Sequence, residues 1–274
     1  MRDRHVHSFT RAAALLAALL TPAVALAQVA VPPPSTRAIG EEYHIEVSGG
    51  LWKPSVFGII SSEQFGIPGS EINFVDDLGF TAKRFTDARL VLRPGKKHRF
   101  RVQYTPVSYS GDATLKRDLV FNGILYPVNV PVQAAFDWKV WRFGYEYDFL
   151  YTDRGFLGIL MEARYTQMNA SLRSPVSNEY TRAKAPLPAL GLVARVYPLR
   201  SLSITAEASG LILPNIDDKY EADYLDLDVY GTFNFTHNFG VQGGWRRMHS
   251  YLRVENDTGD IKFQGFWFGG AIRY

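Results

Sequence analysis

The stretch LDLDVYGTFNF, residues 225–235, alternates apolar and polar side chains along most of its length. One parity carries leucine, valine and phenylalanine, and the other carries Asp226, Asp228, Thr232 and Asn234. Successive side chains of a β-strand point to opposite faces. The stretch therefore predicts a strand with one apolar face and one polar face.

The same period-two pattern recurs along the chain. Comparable alternation occupies segments 43–51, 87–93, 99–104, 157–166 and 202–209, and a weaker version occupies 189–197. In segment 136–149 the apolar residues change parity after Val140. A β-bulge near Val140 and Trp141 would return them to one face, so we expect an irregular strand there.

Composition narrows the class of protein. The chain has 274 residues, 46% of them hydrophobic, and no cysteine, which excludes a disordered or disulfide-stapled chain. The formal net charge is only +3, and several of the basic residues lie in the first eleven positions. Nucleic-acid binding is therefore not expected. Beyond residue 27 no apolar run approaches the roughly 18 residues of a transmembrane helix.

The first residues have the organisation of an export signal. Arginines precede the apolar stretch 12–20, and Ala25-Leu26-Ala27 has the small-x-small pattern of a signal-peptidase site. We expect residues 1–27 to be a cleaved signal peptide and residues 28–40, with three consecutive prolines, to be an extended periplasmic linker. The domain that folds would then be 41–274.

Connections between the strands alternate in length. Short turns are predicted at 94–96, 152–154, 198–200 and 236–238, and longer polar connections at 54–82, 110–130, 172–185, 214–220 and 255–260. Within the second long connection, Asn122-Gly123 is a strong two-residue hairpin signal.

The strands of a soluble β-sandwich also alternate apolar and polar side chains, but the export signal, strand lengths and turn spacing favour an all-β, closed antiparallel transmembrane β-barrel. Ten strands fit best, with eight or twelve as alternatives.

The sequence pattern of the last strand resembles that of a known class of proteins. Residues 263–274 end on an aromatic side chain, and Phe266, Phe268, Ile272 and Tyr274 share one face. This looks like the C-terminal signature of bacterial outer-membrane β-barrel proteins, closest to the small OmpA-like and OmpW-like barrels. The resemblance implies location in the outer membrane, contact with its lipid and lipopolysaccharide, and recognition of the last strand by the barrel-insertion machinery. Those two groups have eight strands, so their functions do not transfer.

The polar parity of the strands predicts a charged lumen. Nine arginines and seven carboxylates fall on it, and buried ions must be paired. We expect the following residues to form the lumen charge network: Arg89, Arg99, Arg101, Arg142, Glu146, Glu162, Arg164, Glu207, Asp226, Asp228 and Arg246. Such an interior favours a salt-bridged barrel or a narrow polar path over a wide pore.

No catalytic, cofactor or metal site is predicted. His249 and Ser250 are adjacent on one strand, so their side chains should point to opposite faces. The outer-membrane lipid deacylases use His-x-Ser, and the matching position here is Tyr251. The leading hypothesis is a non-enzymatic barrel that is structural, or porin-like for small polar solutes. The alternatives are a surface-binding barrel acting through its long loops and, last, a lipid-A-modifying enzyme or rim protease. The sequence leaves the oligomeric state open.

Overall fold

A computed structural model describes residues 38–63, 66–175, 177–216 and 220–274. The expected signal peptide and linker, apart from positions 38–40, lie outside the described residues. Those three residues pack against the end of the strands, because the Ile39 amide donates to the carbonyl of Arg200 at 2.8 Å. Gly40 has a φ of +86°, a left-handed conformation that glycine adopts without strain.

Every regular element in the described residues is a β-strand. The strands are β1 (Ile45–Trp52), β2 (Ser55–Ser61), β3 (Ile72–Asn73), β4 (Phe85–Gly95), β5 (His98–Thr114), β6 (Leu119–Phe121), β7 (Ile124–Tyr126), β8 (Pro131–Thr152), β9 (Gly155–Arg173), β10 (Asn178–Leu199), β11 (Leu202–Ile216), β12 (Tyr220–Asn234), β13 (Phe239–Val254) and β14 (Asp257–Arg273). No helix in this part of the chain is long and apolar enough to cross a bilayer.

The sheet closes on itself as an antiparallel barrel. Neighbouring strands pair in the order β1, β4, β5, β8 to β14, and β14 pairs back with β1 from Glu46↔Arg273 to Trp52↔Trp267. β2 continues the line of β1 past Pro54 and pairs with the far half of β14. The wall therefore has the ten strands that the sequence predicts, and closure leaves no open sheet edge around its base.

The two faces of the wall also match the predicted parities. On β1, Val47 is exposed and Glu46 is buried, and on β9 Ile159 is exposed while Glu162 and Arg164 are buried. Outward apolar residues on successive strands form a continuous belt around the barrel, which we call the apolar belt; its exposed members include Leu51, Leu92, Phe100, Phe143, Met161, Leu190, Ile204, Val229, Phe268 and Ile272. Bilayer-spanning barrels carry such a band.

The predicted bulge in the fourth wall strand is wrong. β8 pairs without interruption through Val140↔Thr105 and Trp141↔Tyr104, and its only irregularity lies between Asp148 and Leu150. Val140 and the apolar residues before it on the same parity point inward and are buried. The apolar residues of β8 change parity because its inward-facing residues are apolar up to Val140 and mostly charged after it. No bulge is therefore needed to explain the pattern.

The described residues contradict three of the predicted long loops. In segment 214–220, residues 214–216 belong to β11 and Tyr220 begins β12. Segment 172–185 belongs mostly to β9 and β10, which pair up to Asn178↔Arg173, and β13 and β14 are joined by residues 255–256 alone. Polar side chains on the outer face of strands that extend beyond the apolar belt gave these segments the composition of loops. The short turns fall at the other end of the barrel, as predicted. We call the two ends the turn end and the loop end.

At the loop end the lumen is filled by the chain itself. Residues 66–84, here called the inner segment, fold into the barrel so that Phe74 lies 4.9 Å from Phe136 and 5.2 Å from Phe80 between ring centroids. The β6–β7 hairpin packs beside it, turning at Asn122 and Gly123 with φ values of 52° and 76°, as the sequence predicts. This half of the interior is a packed apolar core.

Candidate functional site

The turn-end half of the lumen is an array of paired charges. Nine arginines face nine carboxylates: Arg89, Arg93, Arg99, Arg101, Arg142, Arg164, Arg195, Arg246 and Arg273, with Glu41, Glu46, Asp87, Glu146, Asp148, Glu162, Glu207, Asp226 and Asp228. Strand alternation places each of them on the inner face, except for Glu41, which precedes β1. Opposite charges therefore balance in the described interior.

The larger group of ion pairs, called the base network, lies nearest the turn end. It contains Arg89, Arg93, Arg99, Arg101 and Arg195 with Glu41, Glu146, Asp148, Glu207 and Asp228. Arg101 of β5 links three strands, because its guanidinium contacts Glu146 of β8 at 3.0 Å and Glu207 of β11 at 2.5 Å. Bonds that cross the lumen in this way tie distant strands together.

A second group, called the central network, lies between the base network and the apolar core. It contains Arg142, Arg164 and Arg246 with Asp87, Glu162 and Asp226. Asp226 contacts Arg142 at 2.7 Å and Arg246 at 2.8 Å. A separate pair joins Arg273 to Glu46 at 2.5 Å. Each group contains as many arginines as carboxylates, so no group leaves a net charge inside the barrel.

All eleven residues expected in the lumen charge network lie in these two networks. Sequence reasoning did not assign Glu41 to the network, because that residue precedes the first alternating strand and no strand parity applies to it. Glu46 lies on the polar parity of segment 43–51 and also faces the lumen, where it pairs with Arg273. With these two carboxylates added to the seven predicted from parity, the number of carboxylates equals that of the nine arginines.

Glu41 lies inside the turn end of the lumen, where it is buried among charged and hydroxyl partners. Its carboxylate accepts hydrogen bonds from Arg195 at 2.8 Å and Arg99 at 3.3 Å, and from the Tyr197 hydroxyl at 2.5 Å. Burial would raise the pKa of Glu41, but the attraction of Arg195, Arg99 and Arg93 outweighs it and lowers the pKa from 4.5 to about 2. The coil before β1 is thereby held inside the barrel mouth.

Glu41→Gln is expected to destabilise the barrel at neutral pH by an amount on the order of 2 kcal/mol, because it leaves the base network with an unmatched arginine. The pKa of Glu41 in the folded protein lies below 4.5, so its stabilisation is complete above about pH 4.5 and disappears as the pH falls towards 2. Urea unfolding in lipid vesicles at several pH values measures this. A difference between the variant and the parent that persists unchanged at pH 2 would contradict the role of Glu41.

The ionic half of the lumen has little empty space. Two cavities among its side chains, one beside Arg246 and Trp267 and one beside Arg101 and Tyr230, have volumes of about 20 Å³ each. That is room for about one water molecule. Glu41 lies at one end of this ionic half and the inner segment lies at the loop end.

The rim histidine does not form a catalytic arrangement with its neighbour. His249 faces outward and its Nε2 lies 2.7 Å from an oxygen of Asp260, whereas Ser250 faces inward and is buried. No group of three or more histidine, aspartate or glutamate residues in the described part of the chain is arranged to hold a metal ion. The four residues of the C-terminal signature lie on the outer face, and their exposed fractions range from 65% for Ile272 to 86% for Tyr274.

Comparison with known proteins gives similarity of fold but not of sequence. No family model and no curated protein matches the chain. The outer-membrane protease OmpT of Escherichia coli superposes with a TM-score of 0.56 at 10% identity, covering 88% of this chain and 99% of that one. The translocator domain of the autotransporter NalP from Neisseria meningitidis covers 100% of both chains at 10% identity, with a TM-score of only 0.45. The fold is thus that of bacterial outer-membrane β-barrels, and at such identities the likeness shows the fold alone.

Proposed function

We propose that this chain is a non-enzymatic outer-membrane barrel whose lumen is sealed and whose role is structural. The observation that carries the proposal is the even pairing of nine arginines with nine carboxylates inside a lumen that holds Glu41 at the turn end and an apolar core at the loop end. A solute path would require ions that water can reach, whereas sixteen of these eighteen side chains are buried and the other two, Arg89 and Asp87, are only partly exposed. The apolar belt and the barrel fold support an outer-membrane location.

The purified protein is expected to produce no conductance steps in planar lipid bilayers, because the base and central networks and the apolar core obstruct the lumen. Arg101→Ala is the informative variant, since it removes a side chain that extends from β5 across the lumen to Glu207 of β11. Small steps from the variant, together with silence from the parent, support a lumen sealed by these ion pairs. Regular steps from the parent would overturn the sealed barrel and favour the porin-like alternative.

A surface-binding role is the second candidate, favoured by one feature of the outer wall. β5, β8, β9 and β10 continue past the apolar belt, and their polar outer faces form an open concavity of about 550 Å³. Tyr180 is 60% exposed there, and the guanidinium of Arg182 lies 5.0 Å from its ring centroid. Exposed aromatic and arginine side chains are enriched at binding hot spots.

Cells displaying the protein test the surface-binding candidate. If it is correct, their adhesion to host cells or extracellular-matrix coatings should fall on Tyr180→Ala but not on His237→Ala, which changes an exposed residue at the turn end. Adhesion equal to that of cells lacking the protein would remove this candidate.

A lipid-modifying activity is tested separately. Unchanged lipid A in cells that overproduce the protein would agree with the absence of lipid-modifying activity.

A further inference from the structure

The barrel wall separates between β10 and β11 at the loop end. These strands pair from Leu199↔Leu202 up to Leu190↔Gly210. Beyond that point, β10 pairs with β9 and β11 pairs with β12, and the described residues show no pairing of β10 with β11. β10 and β11 are thus paired near the turn end, but at the loop end each has an unpaired edge and the two edges face each other. We call the gap between these edges the lateral cleft.

Prolines explain why these edges remain unpaired. Pro186 and Pro188 lie on the free part of β10, and Pro214 lies on the facing part of β11. Proline has no backbone N–H to donate to a neighbouring strand, so it is confined to sheet edges. In a bilayer an unpaired N–H costs several kcal/mol, and proline removes that donor. The free edge of β10 is therefore suited to contact with lipid.

The wall also separates beside β5, but there the gap is covered. Residues 105–114 of β5 pair with β8 and not with β4. The inner segment fills this gap, since Lys83 Nζ donates to Ser110 Oγ at 2.8 Å and a Cβ at Gly111 would lie 2.5 Å from the carbonyl of Leu78. The chain thus supplies a cover of its own for this separation, on the wall away from the lateral cleft.

The lining of the lateral cleft is mostly apolar. It comprises Met168, Leu187, Leu211, Ala222, Tyr224 and Leu252, together with the polar residues Thr166, Asp223, Ser250 and Tyr251. The cleft measures about 360 Å³ when the space at its mouth is included, but encloses only about 10 Å³, so it is a groove and not a chamber. Leu187 and Leu211 are only partly buried although they face inward.

The lateral cleft is continuous with the apolar belt. Leu190, at the last paired position below it, is 68% exposed on the outer face. An apolar groove in the wall that opens at the edge of the belt offers its open mouth, and not an enclosed chamber, to a flexible hydrocarbon. We propose that the lateral cleft binds one acyl chain of a membrane lipid from the leaflet that faces the loop end, entering sideways between β10 and β11. This inference uses the membrane location but not the sealed lumen.

Photo-cross-linking tests the proposal on the intact barrel. The protein is folded into phosphatidylcholine vesicles that carry a photoactivatable diazirine in the acyl chain, and modified residues are mapped by mass spectrometry. Cross-links are expected on Leu187, Leu211 and Leu252 in addition to the apolar belt. Val132 and Phe136, which face inward beside the covered gap, are the matched controls and should remain unmodified. Cross-links confined to belt residues such as Leu190 would overturn the proposal.

A double variant separates binding from folding. Leu187→Gln with Leu211→Gln makes the cleft polar at two partly buried positions, so cross-linking of Leu252 should be lost while cross-linking of Leu190 is retained. Retained belt labelling shows that the barrel is still inserted. Persistent labelling of Leu252 would mean that the lipid chain does not enter through the cleft. Conductance measurements on the same samples report on the lumen separately, so failure of either proposal can be recognised without the other.

Discussion

Asp226→Asn is expected to lower the free energy of unfolding by about 3 to 5 kcal/mol, the usual cost of leaving a buried ion without its partner. Asp226 is 3% exposed and binds Arg142 and Arg246 at 2.7 and 2.8 Å. Its neutral replacement would leave the central network with three arginines and two carboxylates. Urea titration of the protein folded in lipid vesicles gives the change directly.

A double-mutant cycle provides the control for this effect. Arg246→Met alone should also destabilise the barrel, because it leaves Asp226 and Asp87 with fewer positive partners. The double variant restores equal numbers of opposite charges, so its loss of stability should be clearly smaller than the sum of the two single losses. Additive effects, or a loss below about 1 kcal/mol for Asp226→Asn, would show that pairing inside the lumen contributes little.

Ile159→Arg is expected to destabilise the inserted barrel by about 2 to 4 kcal/mol, the cost of a basic side chain near the bilayer midplane. Ile159 is 44% exposed on the outer face of β9, with Leu157 and Met161 as neighbours on the same face. Unfolding in lipid vesicles of defined thickness measures the change.

Asn169→Arg on the same strand and the same face is the matched control. Asn169 lies beyond Tyr165, where the outer face of β9 has become polar, so its replacement should cost about 1 kcal/mol or less, as at an interfacial position. Equal losses at Ile159 and Asn169 would contradict the position of the apolar belt.

Strand alternation was sufficient to predict the wall of the barrel. The pattern in β12, with Asp226 and Asp228 opposite leucine and valine, carries the information about both faces because a strand has only two. The strand count followed from the turns, whose residues favour tight reversal. Assignment of the lumen charges within the strands needed only parity, which separates inward-facing from outward-facing residues.

The features that sequence reasoning missed depend on depth and on contacts distant in sequence. Parity separates the inside from the outside, but it does not tell an ionic interior from an apolar one, so Phe136 and Trp138 suggested a bulge. The strand segments beyond the apolar belt have polar outer faces, so their sequences resemble those of loops. Glu41 meets Arg195 across 154 residues of chain, and no local pattern encodes that contact.

The lateral cleft could be found only from the pairing of strands. Pro186 and Pro188 are visible in the sequence, but either could belong to a loop or to a strand edge. Their position on a paired strand, with β9 on one side and no partner on the other, gives them meaning. The sequence alone therefore places prolines near the loop end without showing that the wall separates there.

Thiol accessibility tests the sealed ionic lumen most directly, because the chain contains no native cysteine. Ser203 is 1% exposed on the inner face of β11 and its hydroxyl has no hydrogen-bond partner in the described structure, so Ser203→Cys changes little else. In lipid vesicles this thiol should resist a water-soluble sulfonate thiol reagent, whereas His237→Cys in the exposed turn after β12 should react fully. Reaction of both thiols at similar rates would show that water and small ions enter the lumen, and would contradict the sealed barrel.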